Sequence, residues 1–203
     1  MLSPDLDNCI PNSTAKEVNE HVSIGRTLRA AREQAGLRQA DVGRAVYLSD
    51  KAISAYEVGR RQVPRALAPA ISKRLDNGRL ALALAWDATG GMSSPVLDGP
   101  AVDLHRVTIR DRVLEELLEA VQALEGARVI LRARSVADLD PAAVQQVDDC
   151  LTQMVEAETA LSNGIPVLCQ VYGRSCAGLY RRHRQELEAK GYVAKEKAPC
   201  KRR

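Results

Sequence analysis

Two short apolar patterns that meet at a corner constrain the fold of this chain more than any other feature. Within residues 36–61 the apolar residues recur at steps of three and four, in one helical phase before Tyr47 and in another after it. They are Leu37, Val42, Val46, Leu48, Ile53 and Tyr56. Ser49 stands where a second helix would begin, with a hydroxyl that can accept a hydrogen bond from the backbone N–H near Ala52. The pattern therefore predicts two helices joined by a tight turn, with Gly43 at their closest approach.

The same residues resemble the helix-turn-helix domain of Cro and phage-repressor regulators, also called the xenobiotic-response-element family. The family pattern falls on Leu37, Gln39, Val42, Gly43, Ser49, Ile53, Ser54, Glu57, Gly59 and Arg60. The resemblance covers roughly residues 23–89 and implies an all-α, five-helix, lambda-repressor-like domain. Its first helix is expected over residues 24–35 and its fourth from near Ala66. A fifth helix is expected over residues 78–88, capped by Asp76.

The resemblance also implies a role for each residue that would meet DNA. The second helix of the motif would lie in the major groove and contact base edges through Asp50, Lys51, Ser54 and Ala55. Lys51 would donate to a guanine edge. Asp50 would either accept from a cytosine amino group or reject the wrong base by repulsion from phosphate. Phosphates would be contacted by Gln39, Arg60 and Arg61. Arg32 and Glu57 match a family pair, which implies a structural salt bridge between the first helix and the recognition helix.

Tyr47 departs from the family pattern, which usually has glycine in the turn. A residue with a β-carbon is strained there if its φ is positive. Two interpretations follow from the sequence: either the turn is remodelled, or Tyr47 packs over the DNA backbone.

The charge of the chain alternates in three blocks, although the net charge is only +3. Residues 20–78 carry eleven Lys or Arg against six Asp or Glu, residues 93–178 seven against thirteen, and residues 179–203 nine against three. A basic first block favours DNA, because neutralising phosphates releases their counterions. The acidic block favours solvated helices or a protein partner.

After a linker at residues 91–103, rich in Gly, Ser and Pro, the sequence predicts a second all-α domain over residues 104–192. Apolar spacing predicts a helix from Asp111, and a second from Asp140 that ends at Asn163 and Gly164. Further apolar and charged helices are expected after it. The whole region loosely resembles the C-terminal regions of phage regulatory CII-like proteins.

A flexible leader is expected at residues 1–20, before a helix-turn-helix domain at residues 21–90. A basic tail is expected at residues 193–203, after the second domain. The leader lacks the charge and apolar pattern of a signal peptide, and no apolar run approaches the roughly 20 residues needed to span a bilayer. The sequence therefore predicts a cytoplasmic protein without a membrane segment.

The sequence carries no recognisable catalytic, cofactor or metal motif. The three histidines are isolated from metalloprotease, hydrolase, phosphate-loop and dinucleotide motifs. Adjacent carboxylates such as Glu115 and Glu116 point in different directions on a helix and are interpreted as surface charge. The five cysteines have no paired spacing, which is typical of a reducing compartment. The residues that come nearest to a zinc ligand set are Cys169, Cys176, His183 and Cys200. They lack the close spacing of structural zinc sites. Catalysis, a cofactor and a metal are thus not expected.

These features favour a sequence-specific transcriptional regulator, more specifically a repressor of a phage-like or mobile genetic unit. One helix-turn-helix reads few base pairs, so two half-sites about 34 Å apart are normally read by a symmetric dimer on double-stranded DNA. The second domain is expected to form that homodimer. The alternatives are a protein-interaction or antitoxin-like module that binds a partner through its acidic helices, and a ligand sensor with an apolar pocket between them.

Overall fold

In the computed structural model the protein is described over residues 14–132 and 139–194, with side chains from Ile24 onward. Within these ranges the chain forms helices and no strands, so the prediction of an all-α fold is confirmed. The helices are α1 (Thr14–Gln34), α2 (Gln39–Ala45), α3 (Asp50–Glu57), α4 (Ala68–Leu75), α5 (Gly78–Thr89), α6 (Arg106–Gly126), α7 (Pro141–Val171) and α8 (Cys176–Ala189). A short 3-10 helix at Ile130–Arg132 follows α6.

The chain divides into two compact units, and the division runs through α5. The first unit contains the chain up to Leu75 together with Ala83–Ser93, and the second contains Asp76–Leu82 and the chain from Ser94 onward. The domain boundaries predicted from the sequence stay a prediction.

α1 begins ten residues before its predicted start, so that residues 14–20 of the expected leader are helical. Residues 1–13 and 195–203, which include Cys9, Cys200 and most of the expected tail, lie outside the described residues. α1 packs closely on the end of α3 at Gly25, where an added β-carbon would lie 2.5 Å from the Tyr56 carbonyl oxygen. Glycine is therefore required where these two backbones meet.

Aliphatic side chains from all five helices form the core of the first unit. They are Ile24, Leu28, Ala31, Val42, Val46, Ile53, Ile71, Leu75, Ala83 and Leu84, together with the ring of Tyr56. The buried apolar positions in α2 and α3 are the ones whose spacing predicted the two helices, because each spacing places its members on one face.

The turn between α2 and α3 has the geometry that the sequence predicts. The Ser49 hydroxyl accepts a hydrogen bond from the Ala52 N–H at 3.2 Å and caps α3. A β-carbon at Gly43 would lie 2.6 Å from the Leu48 carbonyl oxygen, so the close approach there needs glycine. Tyr47 adopts a φ of 58°, the left-handed conformation that glycine favours, and its side chain is 97% exposed. The turn is therefore not remodelled, and Tyr47 bears the strain.

The predicted starts of α4 and α6 and the predicted cap of α5 need correction. α6 begins at Arg106, five residues before the predicted Asp111, where the His105 side chain accepts the Val107 N–H at 3.4 Å. α4 begins at Ala68, two residues later than predicted, because residues 65–67 form a separate turn; Pro69 still lies in its first turn. α5 is capped by Asn77, whose side-chain oxygen accepts the N–H three residues later at 3.0 Å. Asp76 does not cap α5, because its carboxylate instead accepts the Ala177 N–H at 2.7 Å.

In the second unit α6 and α7 pack as an antiparallel hairpin. Val113 at the start of α6 lies against Gly164, where an added β-carbon would be 3.0 Å from its Cγ2 atom. At the other end the Gln146 side chain donates to the Gly126 carbonyl oxygen at 3.0 Å. α7 does not end at residues 163–164 as predicted, but continues through Pro166 to Val171. Gly164 is thus a close-packing residue rather than a helix end.

Asn163, the other residue predicted to end α7, is buried and binds the loop that precedes α6. Its amide N–H groups donate to the Pro95 and Thr159 carbonyl oxygens at 2.9 and 3.0 Å, and its carbonyl oxygen accepts the Leu97 N–H at 2.9 Å. Ser94 beside this loop is also buried. Residues 94–97 of the predicted linker are therefore held against α7 within the second unit.

The burial of α6 differs from its predicted pattern. The side chains that pack inward are Ile109, Glu116 and Ala120, whereas most of the predicted apolar stripe is exposed. Glu116, interpreted as surface charge from the sequence, is buried. α6 thus has two rows of side chains at helical spacing, one packed against α7 and one exposed to solvent. Periodicity alone cannot show which row packs against the partner helix. Cys150 and Cys169 are buried, as predicted for small core residues.

Tyr47→Gly is expected to raise the free energy of unfolding by about 1 kcal/mol, because it relieves a left-handed residue and removes an exposed side chain. Chemical denaturation monitored by circular dichroism measures the change. Tyr47→Ala is the matched control, since it removes the ring but keeps the β-carbon, and it should give no such gain. Equal stability of the two variants would contradict strain at this position.

Candidate nucleic-acid interface

α3 presents a polar outer face at the surface of the first unit. Asp50 and Lys51 are exposed at its start, and Ser54 and Ala55 follow one turn later, half-buried. The opposite side of the helix is buried and consists of Ile53, Tyr56 and Glu57. The four residues predicted to contact bases therefore lie on one side of α3, away from the core.

The loop after α3 folds back on the helix and presents two arginines. Gly59 adopts a φ of 73°, and its N–H donates to the Tyr56 carbonyl oxygen at 3.1 Å. The Arg61 N–H donates to the Ala55 carbonyl oxygen at 3.2 Å, which fixes the loop beside the last turn of the helix. The side chains of Arg60 and Arg61 are exposed there. They add positive charge next to the outer face of α3.

The Glu57 carboxylate, only 2% exposed, joins the first three helices. Arg32 from α1 binds both of its oxygens, with Nε 2.6 Å from Oε1 and Nη2 3.0 Å from Oε2. Gln39 from α2 donates to Oε2 at 2.9 Å. The third Arg32 nitrogen donates to the Leu37 carbonyl oxygen at 2.9 Å, and the bond to Glu57 raises the pKa of the Arg32 guanidinium. A charged pair is tolerated inside a protein when it is bonded this fully.

Gln39 is the predicted phosphate ligand whose surroundings differ most from those that the sequence implies. It is the first residue of α2, as that role requires, but its amide nitrogen is already bonded to Glu57. The NH2 group carries a second hydrogen, which is the one that could reach a phosphate oxygen. Its contact with DNA stays a prediction.

The sequence interpretation missed Asp41, which organises the start of α2. Its carboxylate accepts the Arg38 N–H at 3.0 Å, and the Arg38 and Arg44 side chains lie 3.2 Å away. Bonds from Arg38 lower the pKa of the Asp41 carboxyl group. The signal was available in the sequence. Arg38 directly precedes α2, and an acidic residue three positions later, here Asp41, can accept the N–H of that preceding residue.

The chain matches a family model described as a helix-turn-helix domain over residues 23–76. These residues therefore form a helix-turn-helix domain, which indicates DNA binding and is typical of regulators without catalytic activity. No curated protein and no solved structure matches the chain. Among the described residues, no helix has both the length and the apolar character needed to cross a membrane.

Glu57→Gln is expected to lower the free energy of unfolding by about 2–4 kcal/mol, because it leaves the largely buried Arg32 guanidinium without its counter-charge. Urea denaturation of the purified protein measures this. Glu33→Gln is the control, because Glu33 also pairs with Arg32 but lies at the surface. Glu33→Gln should hardly change the free energy of unfolding. Similar losses in the two variants would show that the Glu57 contacts do not join the helices.

Proposed function

We propose that the protein is a sequence-specific transcriptional regulator that binds double-stranded DNA as a homodimer and represses transcription by occupying promoter DNA. The observation that carries this proposal is the polar outer face of α3, followed directly by the exposed Arg60 and Arg61. The resemblance of residues 36–61 to Cro and phage repressors favours repression in a phage-like or mobile genetic unit. No catalytic step is part of the proposal.

The outer face of α3 would lie in the major groove. The Lys51 ammonium group would donate to the O6 and N7 atoms of guanine. One Asp50 oxygen accepts the Lys51 N–H at 2.8 Å, so the other would accept from a cytosine amino group. Ser54 would bond a base edge through its hydroxyl, and the Ala55 methyl group would contact a thymine methyl.

Phosphate contacts would fix the register of α3 on the duplex. Arg60 and Arg61 lie at the end of α3, and Gln39 begins the preceding helix, so the three side chains would contact the backbone on either side of the recognition helix. Such contacts supply sequence-independent affinity and make binding sensitive to salt.

An apolar surface on the α6–α7 hairpin supports the homodimer. On α6 the exposed leucines and valine recur at steps of three and four, and α7 has a similar row. We call these residues the apolar face: Leu114, Leu117, Val121, Leu124, Val144, Val147, Leu151 and Met154. Val147 is half-buried, and the others are 37–55% exposed. None of the eight residues is charged.

Both rows lie on the same side of the hairpin. The Glu119 carboxylate of α6 and the Glu156 carboxylate of α7 lie within 4.8 Å of each other, and so they mark one side. At about 100° per residue, each member of the apolar face lies between about 120° and 180° around its helix from the glutamate of that helix. The two rows therefore form one continuous surface on the opposite side.

A second copy of the chain is the occupant that fits this surface. Two helices with an open apolar side form half of a four-helix bundle, and a symmetric partner completes it. Seven of its large apolar side chains are exposed, and contiguous exposed apolar patches of this kind mark interaction surfaces. The opposite side carries Glu116, Glu119 and Glu156, whose negative charges would disfavour pairing with the same side of a second copy.

Selection from random duplex DNA is expected to return a palindromic site with half-sites about 10 base pairs apart. On that site Lys51→Ala should relax the base preference at one position in each half-site. Arg60→Ala should weaken all sequences alike and lower the slope of binding against salt by about one per half-site. Lys73→Ala, which removes an exposed charge from α4, is the control. Failure to select any motif, or no effect of either variant, would contradict the proposal.

Val121→Glu and Leu151→Glu should each convert the dimer to a monomer, because each places a charge in the apolar face. Light scattering coupled to gel filtration measures the mass, and circular dichroism checks the fold. Val129→Glu is the control, because Val129 is exposed but lies outside the face. A monomeric wild-type protein, or one that copurifies with a stoichiometric second protein on this face, would overturn the homodimer and favour the interaction-module alternative.

A further inference from the structure

Three carboxylates converge on the side of the α6–α7 hairpin opposite the apolar face. Glu116 and Glu119 come from α6, and Glu156 comes from α7. One oxygen from each lies within 4.8 Å of the others, and we call this group the acidic cluster. Like charges this close repel each other, most strongly where water is excluded, and the Glu116 side chain is only 6% exposed.

Among the described residues, Arg112 is the cation that forms an ion pair with the acidic cluster. The exposed Arg112 guanidinium lies 2.5 Å from Glu116 Oε1, and it is shared with Glu115 at 2.8 Å. One positive charge against Glu116, Glu119 and Glu156 leaves two negative charges. A divalent cation would neutralise these two charges.

Two buried oxygens beside the acidic cluster lack a donor among the described residues. Glu116 Oε2 has no hydrogen-bond partner, and neither has Gln153 Oε1. The Gln153 amide nitrogen donates to Glu156 Oε2 at 2.6 Å, so the Gln153 side chain contacts the cluster. Buried acceptors without a donor are costly and rare, and here they indicate a positively charged ligand.

We propose that the acidic cluster binds a hard divalent cation of the Mg²⁺, Ca²⁺ or Mn²⁺ class, although the sequence led us to expect no metal. Carboxylate and amide oxygens are the donors that these ions prefer, and no softer thiol or imidazole ligand belongs to the cluster. Two oxygens bound to one ion at about 2.4 Å each can lie at most about 4.8 Å apart, and the three oxygens of the cluster lie within that distance of one another.

The bound ion would join the two helices of the hairpin. Two of its ligands come from α6 and one from α7, so binding replaces repulsion across this seam with attraction. The ion therefore stabilises the hairpin whose other side carries the apolar face. This role does not depend on DNA.

Titration of the metal-free, full-length protein with Mn²⁺, followed by electron paramagnetic resonance and calorimetry, tests the site. We expect one Mn²⁺ per chain, competition by Mg²⁺ or Ca²⁺, and a higher melting temperature with the ion. Loss of even an outer partner typically weakens a metal site about 10- to 100-fold, so E116Q, E119Q and E156Q should each weaken binding at least about tenfold. E115Q is the matched control: this neighbouring glutamate also pairs with Arg112 but lies outside the cluster, and binding should be unchanged.

Absence of stoichiometric Mn²⁺ binding at millimolar concentration would overturn the site. Equal weakening by E115Q and E119Q would overturn it too, because it would indicate a diffuse acidic surface. If E116Q does not fold, Mn²⁺ binding by the E119Q and E156Q variants, which change exposed residues, decides whether the site exists. No arm of the experiment contains DNA, so its failure is distinct from a failure of the proposed regulatory function.

Discussion

The bonding of one buried carboxylate, that of Glu57, is the constraint on which the arrangement of the first unit depends. Glu57 ends α3, and its two oxygens are held by Arg32 from α1 and Gln39 from α2. A buried charge is tolerated only when its partners are close and well aligned, so α1, α2 and α3 must meet in one geometry. Gly25 permits this geometry, because it lets α1 approach the backbone at the end of α3.

The same arrangement separates structural residues from those available for DNA. Ile53, Tyr56 and Glu57 hold α3 on its inner side, so Lys51 and the following arginines carry no part of the core. Substitutions of these outer residues are therefore expected to cost little stability. Tyr47 is the exception, since it combines an exposed ring with a strained backbone at the corner of the motif.

The second unit follows a different principle, in which one hairpin presents two chemically opposite sides. Its inner seam is closed by small and aliphatic side chains and by the close approach at Gly164. One open side is apolar and the other carries the acidic cluster. The open apolar side, and the Glu116 Oε2 atom that has no donor among the described residues, are the physical reasons to propose a second copy on one side and an ion on the other.

Local patterns in the sequence determined the all-α class, the two helices of the motif and the cap at Ser49. These depend on neighbours within a few residues, which a sequence displays directly. The sequence did not show where α7 ends, because Asn163 and Gly164 act through contacts with residues about 50 to 70 positions away in the chain. It also did not show that the predicted stripe of α6 is exposed and Glu116 buried, because a helix with two apolar seams has the same periodicity whichever seam is covered. Only tertiary packing, which brings distant side chains together and excludes water from one seam, decided these features.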